Sequence, residues 1–304
     1  MSPIPAQYGG MVLQQPGRLA TFGIALLVTA IWGFNFVIIA VGLVGVPPLL
    51  LAALRFVLAS LPAVFFVKKP QTSFKLIAAY GLILGVGEFG LLFCAMKLGA
   101  SAGLSSIVLQ VQAFFTALLA IPFLKEKMRL NQVFGMILAF AGLGLIAFSA
   151  VEKGAAMPLI AFGMLILAAL AWAGANLIAR QAGPVSALGL MVWSSLFSPI
   201  PLFALSWLLE GPAAIGPALA NIGWLSIGSI AYLAFISTLI GYGLWNYLIA
   251  RKGASAIAPF SLLVPIFGVS SAALFLGEHF TLLHFAAAAL ILGGLAIHAL
   301  WRRK

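Results

Sequence analysis

The sequence predicts an all-α integral membrane protein: ten transmembrane helices, arranged as two inverted five-helix repeats around a central cavity. Three observations predict it. Of 304 residues, 64% are hydrophobic and 7% charged, with a mean hydropathy of +1.20. The apolar residues fall into about ten stretches with fixed charge almost only between them, and the two halves of the chain resemble each other. A soluble protein of this size must still expose more than half of its surface, and the charges that would keep it soluble are missing.

A hydrocarbon core of roughly 30 Å takes about 20 helical residues to cross. Residues 1–18, with Pro3, Pro5 and Pro16, lack periodicity and read as a mobile tail. No basic stretch precedes a short apolar core there, so a cleavable signal is not expected. Spans follow at 19–41, 48–67, 76–96, 102–122 and 131–150, making a first repeat over 19–150. The unbroken apolar run Leu138–Ala150 lacks the alternation of a barrel strand. The second set lies at 157–179, 186–208, 221–249, 255–276 and 281–300, making a repeat over 157–301, and 302–304 form a basic cytoplasmic C-terminus. The join near 250–254 is tight. Cys94, the only cysteine, lies within span 3, so no internal disulfide is possible.

The net charge of +11 reports topology rather than nucleic acid. With the N-terminus inside, Arg18, Lys68, Lys69, Lys75, Lys125, Lys127, Arg129, Arg180, Arg251, Lys252, Arg302, Arg303 and Lys304 are cytoplasmic. Only Lys97 and Lys153 fall outside, with Arg55 inside a span. This bias is the positive-inside rule and places both termini in the cytoplasm of a bacterial-type inner membrane.

Self-similarity gives the repeat. Lys97-Leu-Gly-Ala-Ser101 resembles Arg251-Lys-Gly-Ala-Ser255, and Phe123-Leu-Lys-Glu126 resembles Phe275-Leu-Gly-Glu278. Gly142-Leu-Gly-Leu-Ile146 matches Gly294-Leu-Ala-Ile-His298, and Gly33 and Asn35 match Gly174 and Asn176. An odd number of spans per unit makes the second copy enter from the opposite side, the arrangement that suits alternating access in transporters.

The chain resembles the drug/metabolite transporter superfamily, and within it the EamA type of amino-acid and metabolite exporters. The resemblance is carried by Trp32-Gly-Phe-Asn-Phe36, Pro47-Pro48 with Leu54-Arg-Phe56, Leu92-Phe-Cys-Ala95, Gly103 to Phe115, and Pro259-Phe-Ser-Leu-Leu-Val-Pro265. It covers nearly the whole chain from about residue 19, and is nearest to the branch exporting cysteine and O-acetylserine, with the YddG type further off. It implies a ten-helix transporter with a cavity between the halves.

Ionisable groups at membrane depth usually face a cavity or a partner. Glu88 in span 3 and Arg55 in span 2 both lie toward the outer half. Either Glu88 couples protons or binds a substrate amino group, or the two form a structural ion pair; pairing is the expected outcome. Asn35 follows Trp32 by three residues and Asn176 follows Trp172 by four, so each amide shares a helix face with an indole. These are cavity candidates, since an amide binds carboxylate or ammonium and an indole holds cations. The alternative is interhelical packing. Gln110 and Gln112 stand roughly 200° apart on a helix, so at most one faces the cavity, and Gln110 is taken as the candidate. Tyr242 and Asn246 share a face with Thr238 in span 8. Pro259 and Pro265 in span 9 invite kinks, either gating points or packing bends.

Gly85-Val-Gly-Glu-Phe-Gly90 imitates a dinucleotide fingerprint but lies inside a membrane helix. Gly99-Ala-Ser-Ala-Gly103 imitates a nucleophile elbow in a chain without aspartate. No Cys or His cluster has metal-ligand spacing. The sequence thus predicts no enzyme, no cofactor and no nucleic-acid partner. It predicts a bilayer-embedded transporter of amino acids and related metabolites, and sets no oligomeric state. Its rivals are an exporter of drugs, quaternary amines or aromatic compounds, and a membrane enzyme acting on lipids. The latter needs converging acid, base or metal groups, whereas Glu126 falls inside and Glu278 and His279 outside.

Overall fold

A computed structural model describes residues 17–151 and 157–300. The tail before residue 17, Lys153, and the basic group Arg302, Arg303 and Lys304 lie outside the described residues. Everything regular among the described residues is helical. Eight helices are long and apolar enough to cross a membrane, or nine if one bent pair is a single span.

In chain order these are α1 (Arg18–Gly45), α2 (Pro48–Phe65), α3 (Phe74–Lys97), α4 (Ala102–Leu124), α5 (Leu130–Ser149) and α6 (Leu159–Gln181). Then come α7, in two pieces (Ala187–Ser194 and Pro199–Leu209), α8 (Trp224–Lys252) and α9 (Ala258–Leu276). The last, α10 (Leu282–Leu300), is apolar over the shorter stretch Leu282–His298. The expected spans all fall on these helices. Span 7 differs from a single rod, bending 44° between its pieces. Pro199 has no N–H to donate and its ring crowds the carbonyl four residues back. A short helix at Pro212–Ala220, with no buried residue, follows α7.

Six of these helices depart from regular α geometry; α2 ends in a 3₁₀ turn at Ala63–Phe65 and α7 in a five-residue π stretch at Ser206–Glu210, and the other four are altered further inside. The middles of α3 and α8 are π-helical over Leu82–Gly90 and Tyr232–Ile240, nine residues each. In both helices the π stretch starts at the ninth residue, so Glu88 and Thr238 occupy the same step from the starts Phe74 and Trp224. A 3₁₀ stretch interrupts α4 at Leu109–Val111 and precedes the regular part of α9 at Ala258–Leu263. Thirteen-residue α segments follow, Gln112–Leu124 and Val264–Leu276. Pro259 sits in the second 3₁₀ stretch and Pro265 in the first turn after it.

Packing pairs α1 with α9, α6 with α4 and α3, and α5 with α10. Small residues permit the tightest approaches, as membrane helices require when no hydrophobic drive separates protein from lipid. A Cβ on Gly33 would stand 2.7 Å from the Val264 carbonyl and 2.8 Å from the Gly268 amide. A Cβ on Gly135 would stand 2.5 Å from the Gly294 carbonyl.

Two carboxylates tie helix starts to distant helix ends. Glu210 accepts hydrogen bonds from the amides of Leu49 (2.6 Å) and Leu50 (3.3 Å) at the start of α2. Glu278 does the same for Ala102 (2.6 Å) and Gly103 (3.1 Å) at the start of α4. Unsatisfied N–H groups and the positive end of the helix dipole make these good carboxylate positions.

Candidate functional site

Arg55, on α2, is 1% exposed, and Glu88, in the π stretch of α3, is 2% exposed. Arg180 forms an ion pair with Glu126, but no such contact joins Arg55 to Glu88. Arg55 Nη2 instead donates to Thr238 Oγ1 on α8 (3.3 Å). Its guanidinium carbon lies 3.9 Å from the ring centroid of Phe89 and 5.4 Å from that of Phe56, a cation–π seat. Nε and Nη1 of Arg55 and Oε2 of Glu88 are buried with no protein partner. Burying a charge with open hydrogen-bonding capacity is expensive, which marks the place as one that expects an occupant or a rearrangement.

Beside it stands an aromatic cluster. The Trp32 ring lies 5.2 Å from Tyr242 and 5.2 Å from Trp245, and its Nε1 donates to the Ser237 carbonyl in the π stretch of α8 (3.1 Å). Tyr232 donates to the Ile31 carbonyl one residue away (3.0 Å). These bonds pin α1 to the π stretch of α8.

The two asparagines have different surroundings. Asn176 Nδ2 donates to Gln112 Oε1 (2.7 Å) and Thr116 Oγ1 (3.2 Å), both on α4. Asn35 is 7% exposed and its Oδ1 has no partner. Gln110 is buried and donates to the Ser261 carbonyl (3.2 Å), joining the 3₁₀ stretches of α4 and α9. Asn246 Nδ2 reaches Ser186 Oγ at 3.4 Å in an exposed position. Trp172 is half-buried against the core. The structure therefore gathers Arg55 with Thr238 and Trp32 with Tyr242, but sends Thr238, Tyr242 and Asn246 to three different partners. Gln112 and Thr116 as asparagine partners, and Thr238 as the Arg55 acceptor, escape the sequence analysis. For Thr238 a signal exists, its matching step with Glu88. Among the described residues no group of His, Cys, Asp or Glu could hold a metal.

Comparison with known proteins agrees with this architecture. A profile described as the EamA-like transporter family matches twice, over residues 20–148 and 159–300. A Salmonella typhimurium protein described as a probable amino-acid metabolite efflux pump is 43% identical over 90% of this chain and 93% of its own length. An Escherichia coli protein of the same description is 41% identical over 92% and 96%. A solved crystal structure superposes with a TM-score of 0.59 over 93% of this chain and 98% of its own, at 16% identity, a likeness of fold alone. Two family matches filling the chain, on helices apolar enough to cross a membrane, identify it as a multi-pass membrane transporter, not an enzyme, belonging to the EamA-like transporter family.

Proposed function

We propose that this chain exports amino acids and related small metabolites across a bacterial inner membrane, by alternating access between two inverted five-helix repeats with both termini cytoplasmic. The observation that carries the proposal is the buried, mutually unpaired Arg55 and Glu88, each with open hydrogen-bonding atoms. An α-amino acid brings one carboxylate and one ammonium, the two groups such a pair would satisfy. Trp32, Tyr242 and the open Asn35 amide supply contacts to the rest of the molecule, with Gln110, Trp172, Asn176 and Asn246 shaping the cavity around them. Pro259 and Pro265 let the start of α9 bend as access alternates. Supporting the repeat are the double family match, the paired π and 3₁₀ stretches, and an apolar α10 at the place of a tenth span. The names of the two bacterial relatives support the cargo.

The test is counterflow in liposomes, without ATP, using cysteine, O-acetylserine, threonine, methionine and phenylalanine. Exchange of at least one is expected, together with its loss in Arg55→Gln. A folded protein that exchanges none of them would favour the second reading, export of aromatic or quaternary-amine compounds, which the Trp32–Tyr242–Trp245 cluster supports.

A further inference from the structure

The segments leaving α4 and α9 fold alike up to one atom group. Lys125 and Gly277, which follow the last helical residues Leu124 and Leu276, take φ values of 54° and 66°. The amide of the next residue then donates six positions back, from Glu126 to the Ala120 carbonyl and from Glu278 to the Ala272 carbonyl, both 3.3 Å. There the two carboxylates part. Glu278 crosses to the start of α4 and accepts from Ala102 and Gly103. Glu126 meets Arg180 at 3.0 Å, with side chains 50% and 46% exposed.

The helix starts differ in the same sense. Beneath the docked Glu278, every residue from Ala102 to Val111 is buried. Here α4 lies so close to α9 that a Cβ on Gly268 would fall on the Ser106 side chain. The sequence match of Ser101 with Ser255 makes Ala256–Ile257 the counterpart of Ala102–Gly103. Both lie in a short helical turn, Ala254–Ile257, where Ala256 is exposed with its amide donating to the Gly253 carbonyl (3.3 Å) and Ile257 is buried against Ala25 and Leu248; the following stretch Ala258–Leu263 contains no buried residue. One end of the molecule is sealed by a carboxylate on a helix start; the matching carboxylate at the other end stands off from the turn it would seal. A cavity of about 270 Å³ lies over the sealed end, lined in part by Leu43, Lys97, Ala102 and Glu278.

We propose that Glu278 and Glu126 are alternating latches of the transport cycle. In this structure Glu278 holds the outer ends of α4 and α9 shut. When that side opens, Glu278 releases, and Glu126 leaves Arg180 for the backbone amides of Ala256 and Ile257, the Ala256 amide giving up the Gly253 carbonyl, which shuts the inner side. A carboxylate on a helix start gains two charge-assisted hydrogen bonds and the helix dipole, whereas a half-exposed ion pair holds weakly and is easily left. The proposal rests on the inverted-repeat topology of the preceding reading, but not on its cargo.

The experiment reads the side of access. In a Cys94→Ala background, a reporter cysteine is placed by Ser106→Cys near the outer seal or by Ser261→Cys near the inner opening. A membrane-impermeant maleimide is then applied to intact spheroplasts or to inverted vesicles. Glu278→Gln is expected to raise outside labelling at position 106 roughly tenfold, the effect of losing bonds to a charged acceptor, and to lower inside labelling at position 261. Glu126→Gln should move both in the opposite direction. The surface change Arg180→Gln, which frees Glu126 to dock, should act like Glu278→Gln and keeps the proposal testable if Glu278→Gln does not fold. If Glu126→Gln and Arg180→Gln shift labelling in the same direction, or leave it unchanged, the carboxylates are static caps and the proposal fails. Labelling needs no substrate, so opposed shifts in a protein that exchanges no amino acid would overturn the cargo and leave the latches standing.

Discussion

α1 and α6 carry the same small motif, a tryptophan followed by a glycine and an asparagine, yet the two helices meet different neighbours. Gly174 faces open packing, where an added Cβ would find only the Ile83 side chain at 3.6 Å. Gly33 is pressed against the backbone of α9. Asn176 is held by Gln112 and Thr116. In the matching thirteen-residue segment of α9 the same steps hold Val264 and Gly268, which offer no side-chain hydrogen bond. A motif written twice thus becomes a hydrogen-bonded asparagine beside a loosely packed glycine in α6, and a tightly packed glycine beside an open asparagine in α1, because the partner helix decides which part of it is satisfied.

The largest effect that would break this comparison is expected at the glycines. Gly33→Ala should destabilise the fold by about 3 kcal/mol, the upper range for overpacking against backbone that cannot yield, while Gly174→Ala should be neutral or slightly stabilising through helix propensity. Thermal unfolding in detergent measures both, and equal losses would show that the two faces are not different. Next, Asn35→Ala should lower the exchange rate in liposomes roughly tenfold, as for one lost hydrogen bond to a charged group, with the melting temperature near that of the parent. Asn176→Ala should reverse the pattern, losing about 1 kcal/mol of stability, the scale of interhelical hydrogen bonds in membranes, with a milder change in exchange. A drop in exchange without loss of stability in Asn176→Ala would show that it, too, is a cargo contact. The smallest effect sharpens the argument. Val264→Gln supplies α9 with the partner that α4 already has, so it should add about 0.6 kcal/mol of stability and slow exchange a few-fold by occupying Asn35.

Much of this was legible in the sequence, and the limits have physical causes. Apolar runs placed the helices closely, as with the expected 102–122 against Ala102–Leu124. The resemblance of Phe123-Leu-Lys-Glu126 to Phe275-Leu-Gly-Glu278 corresponds to one shared backbone ending. Where each glutamate then goes depends on side chains far along the chain, which local pattern does not encode. Burial of Arg55 and Glu88 was legible from their position in spans, but their orientation was not. A period of 3.6 residues places Thr238, Tyr242 and Asn246 on one face only if the helix is α throughout, and the π stretch ending at Ile240 breaks that period. Thr238 therefore turns to Arg55 and Tyr242 to Trp32.

The two nine-residue π stretches also make the chain's tolerance of lost residues uneven. In an ordinary α span, removing one residue turns everything after it by about 100° and carries every later side chain off its partner. Leu82–Gly90 and Tyr232–Ile240 are wound more loosely, with i→i+5 bonding. A deletion there can be taken up by tightening the local winding to α while both flanks keep their facing. Copies of this gene that had lost a single codon would survive most readily with the gap in those two windows, beside the very residues that line the buried polar centre.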